Sequence, residues 1–148
     1  MNSSLRDTRE AIVQEHFRAE NAGDIDGVIA TFHRPRYEMK HLGREHDGEA
    51  EVRELMAGLL RGLPDIHAEP GELRHLDDAV FVECVTTGTH EGFFAGLQPT
   101  GKKIQARSAC IFEFDGDKLM CEKVYLDLAT ILRQLGALPE LKIPQRQS

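Results

Sequence analysis

The fold of this chain is decided by residues 102–127, KKIQARSACIFEFDGDKLMCEKVYLD. Two runs rich in apolar residues, 102–114 and 118–127, flank the triplet Asp115-Gly116-Asp117. Asp-Gly between two such runs is a strong short-range signal for a β-hairpin. The stretch therefore predicts two long antiparallel strands joined by a tight turn.

More strands are predicted upstream of this hairpin. Residues 66–76 and 79–89 flank Asp77 and Asp78, a polar break that is typical of a hairpin turn. Residues 36–41 alternate apolar with charged side chains, which predicts a strand with one apolar face.

Apolar side chains recur at helical spacing in four other segments. The first of these helices would begin at Asp7 or Thr8, whose side chains can accept hydrogen bonds from free backbone N–H groups. The polar stretch 43–48 predicts a loop, and residues 88–101 predict an excursion that contains Gly and Pro. The predicted helices cover residues 8–20, 25–32, 49–60 and 128–135.

This order of elements predicts an α+β fold, in which a cone-shaped, curved antiparallel sheet packs against the N-terminal helices. The 148 residues are enough for one domain, which we expect to have its core at about 8–136 and a tail at 137–148. A curved sheet capped by helices encloses a hollow, and hollows of this kind bind small ligands.

Composition excludes several classes of protein. A hydrophobic fraction of 41% is typical of a globular chain. The net charge of −7 argues against nucleic-acid binding, which needs clustered Lys and Arg. The chain has neither an apolar run of about 18 residues nor an N-terminal signal pattern, so we expect a cytoplasmic protein that does not enter membranes.

Cys84, Cys110 and Cys121 have long, unequal spacings that fit neither a disulfide framework nor a metal clamp. Each lies in a predicted strand, where a free cysteine more often packs as a small hydrophobe than acts as a nucleophile. The histidines form no HxH or HxxxH pair near a carboxylate. The sequence therefore predicts no metal site.

Three segments carry a resemblance to a known family: FRAENAGDIDGVIATF (17–32), GTHEGFFAGLQPTGKKI (88–104) and FEFDGDKLMCEKVYLDLATILRQLG (112–136). Together they resemble the SnoaL-like polyketide cyclases, a family of the nuclear transport factor 2-like superfamily, over about residues 8–136. The middle segment is the most specific of the three.

The resemblance implies a curved-barrel, usually dimeric protein that cyclises polyketide esters by an intramolecular aldol reaction. It also implies that an aspartate acts as acid and base, without a metal or an organic cofactor. We therefore expect a homodimer that acts on a hydrophobic, carbonyl-bearing small molecule by proton abstraction and return. The alternative is a non-catalytic ligand-binding or dimerisation module of the same shape, because fold alone does not determine function.

Asp127 matches the family's aspartate at the end of the last strand and is the predicted catalytic residue. Alternation places Lys123, Tyr125 and Asp127 on one face of that strand, where a carboxylate at an apolar wall would have a raised pKa. The structural alternative is that Asp127 caps the helix that begins at Leu128. Lys123 would lower the pKa of Asp127, polarise a substrate oxygen or lie on an exposed edge.

Other candidates surround the same predicted hollow. His41 would be a second acid or base, and its alternative is a structural histidine. Tyr37 and Tyr125 are candidate hydrogen-bond donors to the substrate. His90 would reach the mouth of the hollow, and Phe112 lies on the apolar face of its strand. The sequence places four glutamates on solvated strand faces: Glu38, Glu83, Glu113 and Glu122.

Overall fold

The computed structural model describes residues 2–139 and residue 142. Within them the chain forms four α-helices, seven strands and a short 3-10 turn at Lys40–Leu42. The helices are α1 (Ser3–Asn21), α2 (Ile25–Ala30), α3 (Glu49–Gly62) and α4 (Leu128–Gln134). The strands are β1 (Arg36–Met39), β2 (Arg44–Asp47), β3 (His67–Pro70), β4 (Arg74–His75), β5 (Ala79–Thr89), β6 (Lys103–Asp115) and β7 (Lys118–Leu126).

The predicted Asp-Gly hairpin joins β6 to β7, with Gly116 at a φ of 60° in the turn. The strands form one curved, open sheet in the order β2-β1-β7-β6-β5-β3, and β4 pairs with β5. Its pairings are antiparallel except between β1 and β7, which run parallel. The predicted antiparallel sheet is therefore a mixed one, since β1 is inserted beside the last strand of the chain.

A β-bulge interrupts the hairpin between β6 and β7. Glu113 pairs with Cys121 and Phe114 pairs with Leu119, so Met120 has no partner in the register. An extra residue on one strand reverses the alternation of inward and outward side chains beyond it. Leu119 therefore faces the core, and so does Glu122, although the two are three positions apart, an odd spacing.

The helices α1, α2 and α3 cover the inner face of the sheet. Alternate residues of β6, from Ile104 to Phe114, are buried, as period-two strands require. Ile104 and Ala106 pack against Ile131 and Leu135 at α4 in a second, smaller core cluster. The main core cluster joins the helices to β5, β6 and β7, and its largest members are Phe17, Phe32, Tyr37, Phe112 and Phe114.

The Gly- and Pro-containing excursion is anchored on the end of α3. The backbone N–H groups of Glu91 and Gly92 donate to the carbonyl oxygen of Gly62 at 3.0 and 3.1 Å. A Cβ atom at position 92 would collide with the carbonyl group of Arg61. Glycine is therefore required there by close backbone approach, which explains one glycine of the middle motif.

Several predicted boundaries were wrong. Helix α1 begins at Ser3, because the Asn2 side chain rather than Asp7 or Thr8 caps it and accepts from Leu5 N–H. The first strand ends at Met39, so His41 lies in the 3-10 turn. Residues 43–48 contain β2 rather than only a loop, since the charged Arg44–Asp47 pairs along β1 at the sheet edge.

The remaining boundaries concern the long strand and the tail. The strand predicted at 66–76 is split into β3 and β4, which pair with different parts of β5. The predicted tail at 137–148 lies for most of its length outside the described residues. In the described part of the chain, no helix has the length and apolar character needed to cross a bilayer.

Buried Arg9 ties α1 to the two hairpin turns. Its Nε donates to the carbonyl oxygen of Gly116 and its Nη1 to that of Asp77, both at 2.9 Å. Its guanidinium carbon lies 5.3 Å from the ring centre of Phe114. One side chain therefore fixes the narrow end of the sheet to the first helix.

We predict that Arg9→Met lowers the free energy of unfolding by about 1–3 kcal/mol, because it leaves the two turn carbonyls without these partners. Urea unfolding followed by circular dichroism measures the change. Arg6→Met, on the exposed side of the same helix, is the control and should change stability by less than about 0.5 kcal/mol. Equal effects of the two substitutions would show that Arg9 does not hold the turns.

Candidate functional site

An apolar cavity lies between the three N-terminal helices and the inner face of the sheet. The space open to the centres of water-sized spheres is about 120 Å³. Its walls are mostly aliphatic, aromatic and sulfur-bearing: Phe17, Ile25, Val28, Tyr37, Met39, Met56, Leu59, Leu60, Ile66, Cys84, Cys110, Val124 and Leu126. A small set of polar groups interrupts them, which is the usual composition of a small-molecule site.

Three polar residues of the lining, Glu20, Tyr37 and Glu122, form a cluster with His16, which is fully buried and is not among the lining residues. We call these four residues the His16 cluster. His16 and Glu20 are four residues apart on α1 and so share one helix face. His16 Nε2 lies 2.7 Å from Glu20 Oε1, 2.8 Å from Glu122 Oε2 and 2.9 Å from the Tyr37 hydroxyl oxygen. The Tyr37 hydroxyl donates to Glu20 Oε1 at 2.7 Å.

Hydrogen-bond geometry fixes the protons of His16. The Thr31 hydroxyl donates to the carbonyl oxygen of Val28 at 2.6 Å, so its oxygen must accept from His16 Nδ1, 2.8 Å away. Nε2 faces two carboxylate oxygens, which are acceptors when ionised. With both carboxylates ionised, both ring nitrogens therefore carry protons, and His16 is an imidazolium.

The electrostatics agree with this assignment. Burial acts to lower the pKa of His16, but the charges and hydrogen bonds of Glu20 and Glu122 outweigh it and raise that pKa to about 10. Burial acts to raise the pKa of Glu20, yet His16 and the Tyr37 hydroxyl hold it below its usual value. Glu20 and His16 therefore form an ion pair at the end of the cavity.

Glu122 behaves differently from Glu20. It is 2% exposed, and this burial together with the charge of Glu20 raises its pKa, against the opposing effect of His16. Burial and the two carboxylates also raise the pKa of Tyr37 well above its usual value. The cavity wall thus carries a carboxyl group that holds a proton more readily than an ordinary glutamate and a phenol that stays protonated.

A polar groove adjoins the cavity at the turn between α1 and α2. It shares Asn21, Gly23, Leu60 and Ile66 with the cavity. The Asn21 side chain exchanges two hydrogen bonds with the backbone of Ala68, at 2.8 and 2.9 Å, and so fixes α1 to β3 beside this opening. We interpret the groove as the mouth of the cavity.

Asp127 lies at the start of α4 and is not among the residues that line the cavity. Its carboxylate oxygens accept from the backbone N–H of Thr130 at 3.1 Å and from its hydroxyl at 2.6 Å. These hydrogen bonds hold the pKa of Asp127 below its usual value. The structure thus shows the capping geometry considered in the sequence analysis, and the catalytic role stays a prediction without support from position.

The face assigned to β7 in the sequence analysis was wrong, and Glu122 is not on a solvated face. Glu122, Val124 and Leu126 line the cavity, whereas Tyr125 is half-exposed and Lys123 bonds Glu113 at 3.2 Å on the outer side of the sheet. The bulge at Met120 is the cause, because it reverses the alternation along the strand.

The remaining predicted residues are dispersed. Tyr37 lines the cavity as expected. His41 is outside the lining, and its Nδ1 accepts from Leu126 N–H at 3.4 Å, while burial lowers its pKa. His90 is fully buried within the Gly- and Pro-containing excursion, where its Nδ1 contacts the Thr100 hydroxyl at 2.9 Å. Phe112 is buried behind the cavity, with its ring centre 5.2 Å from that of His16.

The sequence analysis missed His16, Glu20 and Glu122. The signal available for the first two was a histidine on the apolar face of α1 with a glutamate four residues later. These three side chains place one nitrogen and two oxygens within 4.8 Å of one another, which a divalent cation could use. Because the groups already satisfy each other at hydrogen-bond distances, we assign the His16 cluster to proton chemistry.

The cysteines are buried and unpaired. Cys84 and Cys110 line the cavity, and the hydrogen bond between the Cys110 thiol and Cys84, together with burial, raises the pKa of Cys110 well above its usual value. Burial and Glu38 raise the pKa of Cys121 to about 12. Cys110 and Cys121 are therefore thiols rather than thiolates at neutral pH, which favours packing over nucleophilic chemistry.

We predict that the His16 cluster makes stability depend on pH in the alkaline range. The folded-state pKa of His16, about 10, exceeds the unfolded value of 6.5. Its contribution is therefore complete below pH 6.5 and is lost as the pH rises through about 10. Urea unfolding from pH 6 to 11 should show this loss in the wild type and in the exposed-residue control His33→Gln, but not in His16→Gln.

A titration of the wild type gives a second measure if His16→Gln does not fold. The ring signals of His16, followed by NMR, should stay those of the imidazolium up to at least pH 8. Titration near 6.5 would contradict the ion-pair assignment.

A family model described as SnoaL-like polyketide cyclase matches residues 11–135. No curated protein matches the chain. Among solved structures, AclR from Streptomyces galilaeus, a proposed hydroxylase, is 27% identical, with 90% of this chain and 88% of that chain covered and a TM-score of 0.77.

Two further structures show the same fold at lower identity. A proposed SnoaL-like polyketide cyclase from Jannaschia sp. CCS1 is 19% identical, with 94% and 99% of the two chains covered and a TM-score of 0.83. IdmH from Streptomyces antibioticus, a proposed polyketide cyclase, is 20% identical, with 86% and 98% covered and a TM-score of 0.73. With the family model spanning nearly the whole domain, the chain belongs to the SnoaL-like polyketide cyclase family.

Proposed function

We propose that this protein is an enzyme that abstracts and returns a proton on a hydrophobic, carbonyl-bearing small molecule, with Glu122 as the acid and base. The observation that carries the proposal is the position of Glu122. It is a buried carboxyl group with a raised pKa, on the wall of an apolar cavity and in contact with a buried imidazolium. Family membership supports cyclase-type chemistry in general.

Glu122 has the properties that general base catalysis requires. A carboxylate with a pKa nearer to neutrality is a stronger base than one at its usual value, and it returns the proton more readily than a strong base would. Desolvation in the apolar cavity supplies the raised pKa. His16 keeps part of the Glu122 population ionised, which proton abstraction needs.

Tyr37 is suited to stabilise the product of proton abstraction. Removing a proton next to a carbonyl group places negative charge on the carbonyl oxygen, and a preorganised hydrogen-bond donor lowers the energy of that state. The Tyr37 hydroxyl lines the cavity and stays protonated because its pKa is raised. Glu20 would hold the Tyr37 ring in place. When the Tyr37 hydroxyl turns to the substrate, His16 balances the negative charge of Glu20.

The alternative function is a ligand-binding module without catalysis. The capping role of Asp127 would support a binding module if Asp127 were the sole candidate acid. Glu122 is a second candidate acid, so the role of Asp127 no longer favours that alternative. A hydrogen-bonded cluster within a cavity is still compatible with binding alone. The following measurement separates the two.

We predict that the wild type catalyses hydrogen–deuterium exchange at the acidic carbons of a hydrophobic ketone, with 2-tetralone in D₂O as the probe and NMR as the detector. Exchange reports proton abstraction and return without knowledge of the natural product. Glu122→Gln should slow exchange by on the order of 10²-fold or more, since that is the usual contribution of a general base.

Asp127→Asn is the matched variant for this test. It removes the carboxylate of the sequence-based prediction and should leave exchange within a few-fold of the wild type, provided that circular dichroism shows a folded protein. Loss of exchange in Asp127→Asn with full activity in Glu122→Gln would reverse our assignment. Absence of exchange above the buffer rate in the wild type, for 2-tetralone and for a matching aryl ester, would favour the binding module.

We also predict the direction of the pH dependence. The base must be ionised, so kcat/KM for exchange should fall as the pH decreases through the pKa of Glu122 in the free enzyme. Because burial and Glu20 raise that pKa, the acid limb should lie above the usual glutamate value of 4.5. An acid limb at or below 4.5 would point to an exposed carboxylate instead.

A further inference from the structure

We propose that the cavity selects a hydrophobic organic cation, so that the substrate carries a protonated amine near its reacting carbon, and that it excludes carboxylates. The inference rests on the proposed function only because it uses the same cavity. Ligand binding tests it, and no measurement of turnover is needed. It names the charge of the ligand, which the fold and the family model leave open.

The ionisable side chains that line the cavity are acidic. Three carboxyl groups line the cavity, those of Glu20, Asp24 and Glu122, and none of the described residues that line it is Lys or Arg. Arg18 lies 3.8 Å from Asp24, but it is 58% exposed and bonds Glu15 at 2.6 Å on the outside of α1. An incoming anion therefore meets carboxylates and no free cation on the walls.

The buried cation in contact with Glu122, His16, is already paired with carboxylates. Glu122 interacts with His16 and Glu20 from α1, with Tyr37 from β1 and with Cys110 from β6. His16 has both ring nitrogens occupied, by Thr31 and by the two glutamates. When Glu122 is ionised, the His16 cluster carries one positive and two negative charges, so one buried negative charge is unbalanced.

A protonated amine balances that charge. Its N–H groups donate to the Glu122 carboxylate, and a charge-assisted hydrogen bond of this kind is stronger than a neutral one. A carboxylate ligand would add a like charge in a region of low dielectric constant, where it is poorly screened.

The apolar walls suit the rest of such a ligand. Phe17 and Tyr37 line the cavity, and aromatic rings of this kind attract cations. Met39 and Met56 add polarizable thioethers that adapt to irregular apolar shapes. Negative charge continues outward from Asp24 in the cavity lining to Asp65 at the mouth. Hydrogen bonds from Thr89 hold the pKa of Asp65 below its usual value.

The experiment compares three ligands of one shape and different charge: 2-naphthylmethylamine, 2-naphthalenemethanol and 2-naphthoate. Naphthalene fluorescence reports binding with little background, because the chain has no Trp and two Tyr. At pH 7.5 we expect the amine to bind at least tenfold tighter than the alcohol, and the naphthoate to bind at least a hundredfold more weakly than the amine.

Two variants assign the preference to the cavity. Glu122→Gln should reduce the advantage of the amine over the alcohol to less than threefold. Glu113→Gln is the matched control, because Glu113 pairs with Lys123 on the outer side of the sheet, one strand away. It should leave the order and size of the affinities unchanged.

Each result of the binding experiment either supports or overturns the preference for a cation. Naphthoate binding as tightly as the amine, or no binding of any of the three up to 1 mM, overturns the proposal. So does an unchanged amine preference in folded Glu122→Gln. If that variant does not fold, the order of the three ligands on the wild type decides. A clear amine preference without exchange activity would leave this inference standing while the proposed function fails.

Discussion

The arrangement of the cavity depends on the buried ion pair between His16 and its two glutamates. Removing one member of a buried pair costs about 3–5 kcal/mol, yet replacing a whole pair by well-packed apolar residues is often neutral or stabilising. Stability alone therefore gives no reason for three ionisable groups and a phenol at this place. The position of Glu20, Tyr37 and Glu122 on the wall of an apolar cavity does give one, since perturbed groups in clefts are typical of functional sites. The rings of Phe32 and Phe112, with centres 5.3 and 5.2 Å from that of His16, exclude water from the pair and so increase the mutual influence of the charges.

The cluster is assembled from distant parts of the chain by ordinary structural rules. Helical spacing aligns His16 with Glu20, and the α2 cap at Thr31 orients the imidazole through Nδ1. The parallel pairing of β1 with β7 sets Tyr37 directly beside Glu122 in the register. This pairing is the unusual connection in an otherwise antiparallel sheet, and it creates the site. The first helix is in turn fixed at both ends, by Arg9 on the hairpin turns and by Asn21 on β3, so the position of His16 is determined by the whole sheet.

The sequence predicted most of the fold because its signals are local. The Asp115-Gly116 turn, the break at Asp77 and the spacing of apolar residues are all read within a few positions. The site was less predictable for two physical reasons. Parallel pairing of β1 with β7 joins residues that are 85 positions apart, such as Tyr37 and Glu122, and nothing local encodes it. The charged pattern of 43–48 also concealed β2, since an edge strand exposed to solvent can be polar on both faces.

The bulge at Met120 shows why family likeness identified the strand but not the acid. A resemblance aligns positions along the chain, whereas function requires side chains on the correct face, and one unpaired residue changes which face that is. Beyond the bulge, the residues at the cavity wall are Glu122, Val124 and Leu126, and not Lys123, Tyr125 and Asp127. Asp127 then has the first free N–H groups of α4 beside it, and these stabilise its charge more effectively than an apolar wall would. A carboxylate held ionised by a helix N-terminus is a weak base, while one forced toward neutrality by burial is a stronger base, and this difference assigns the proton transfer to Glu122.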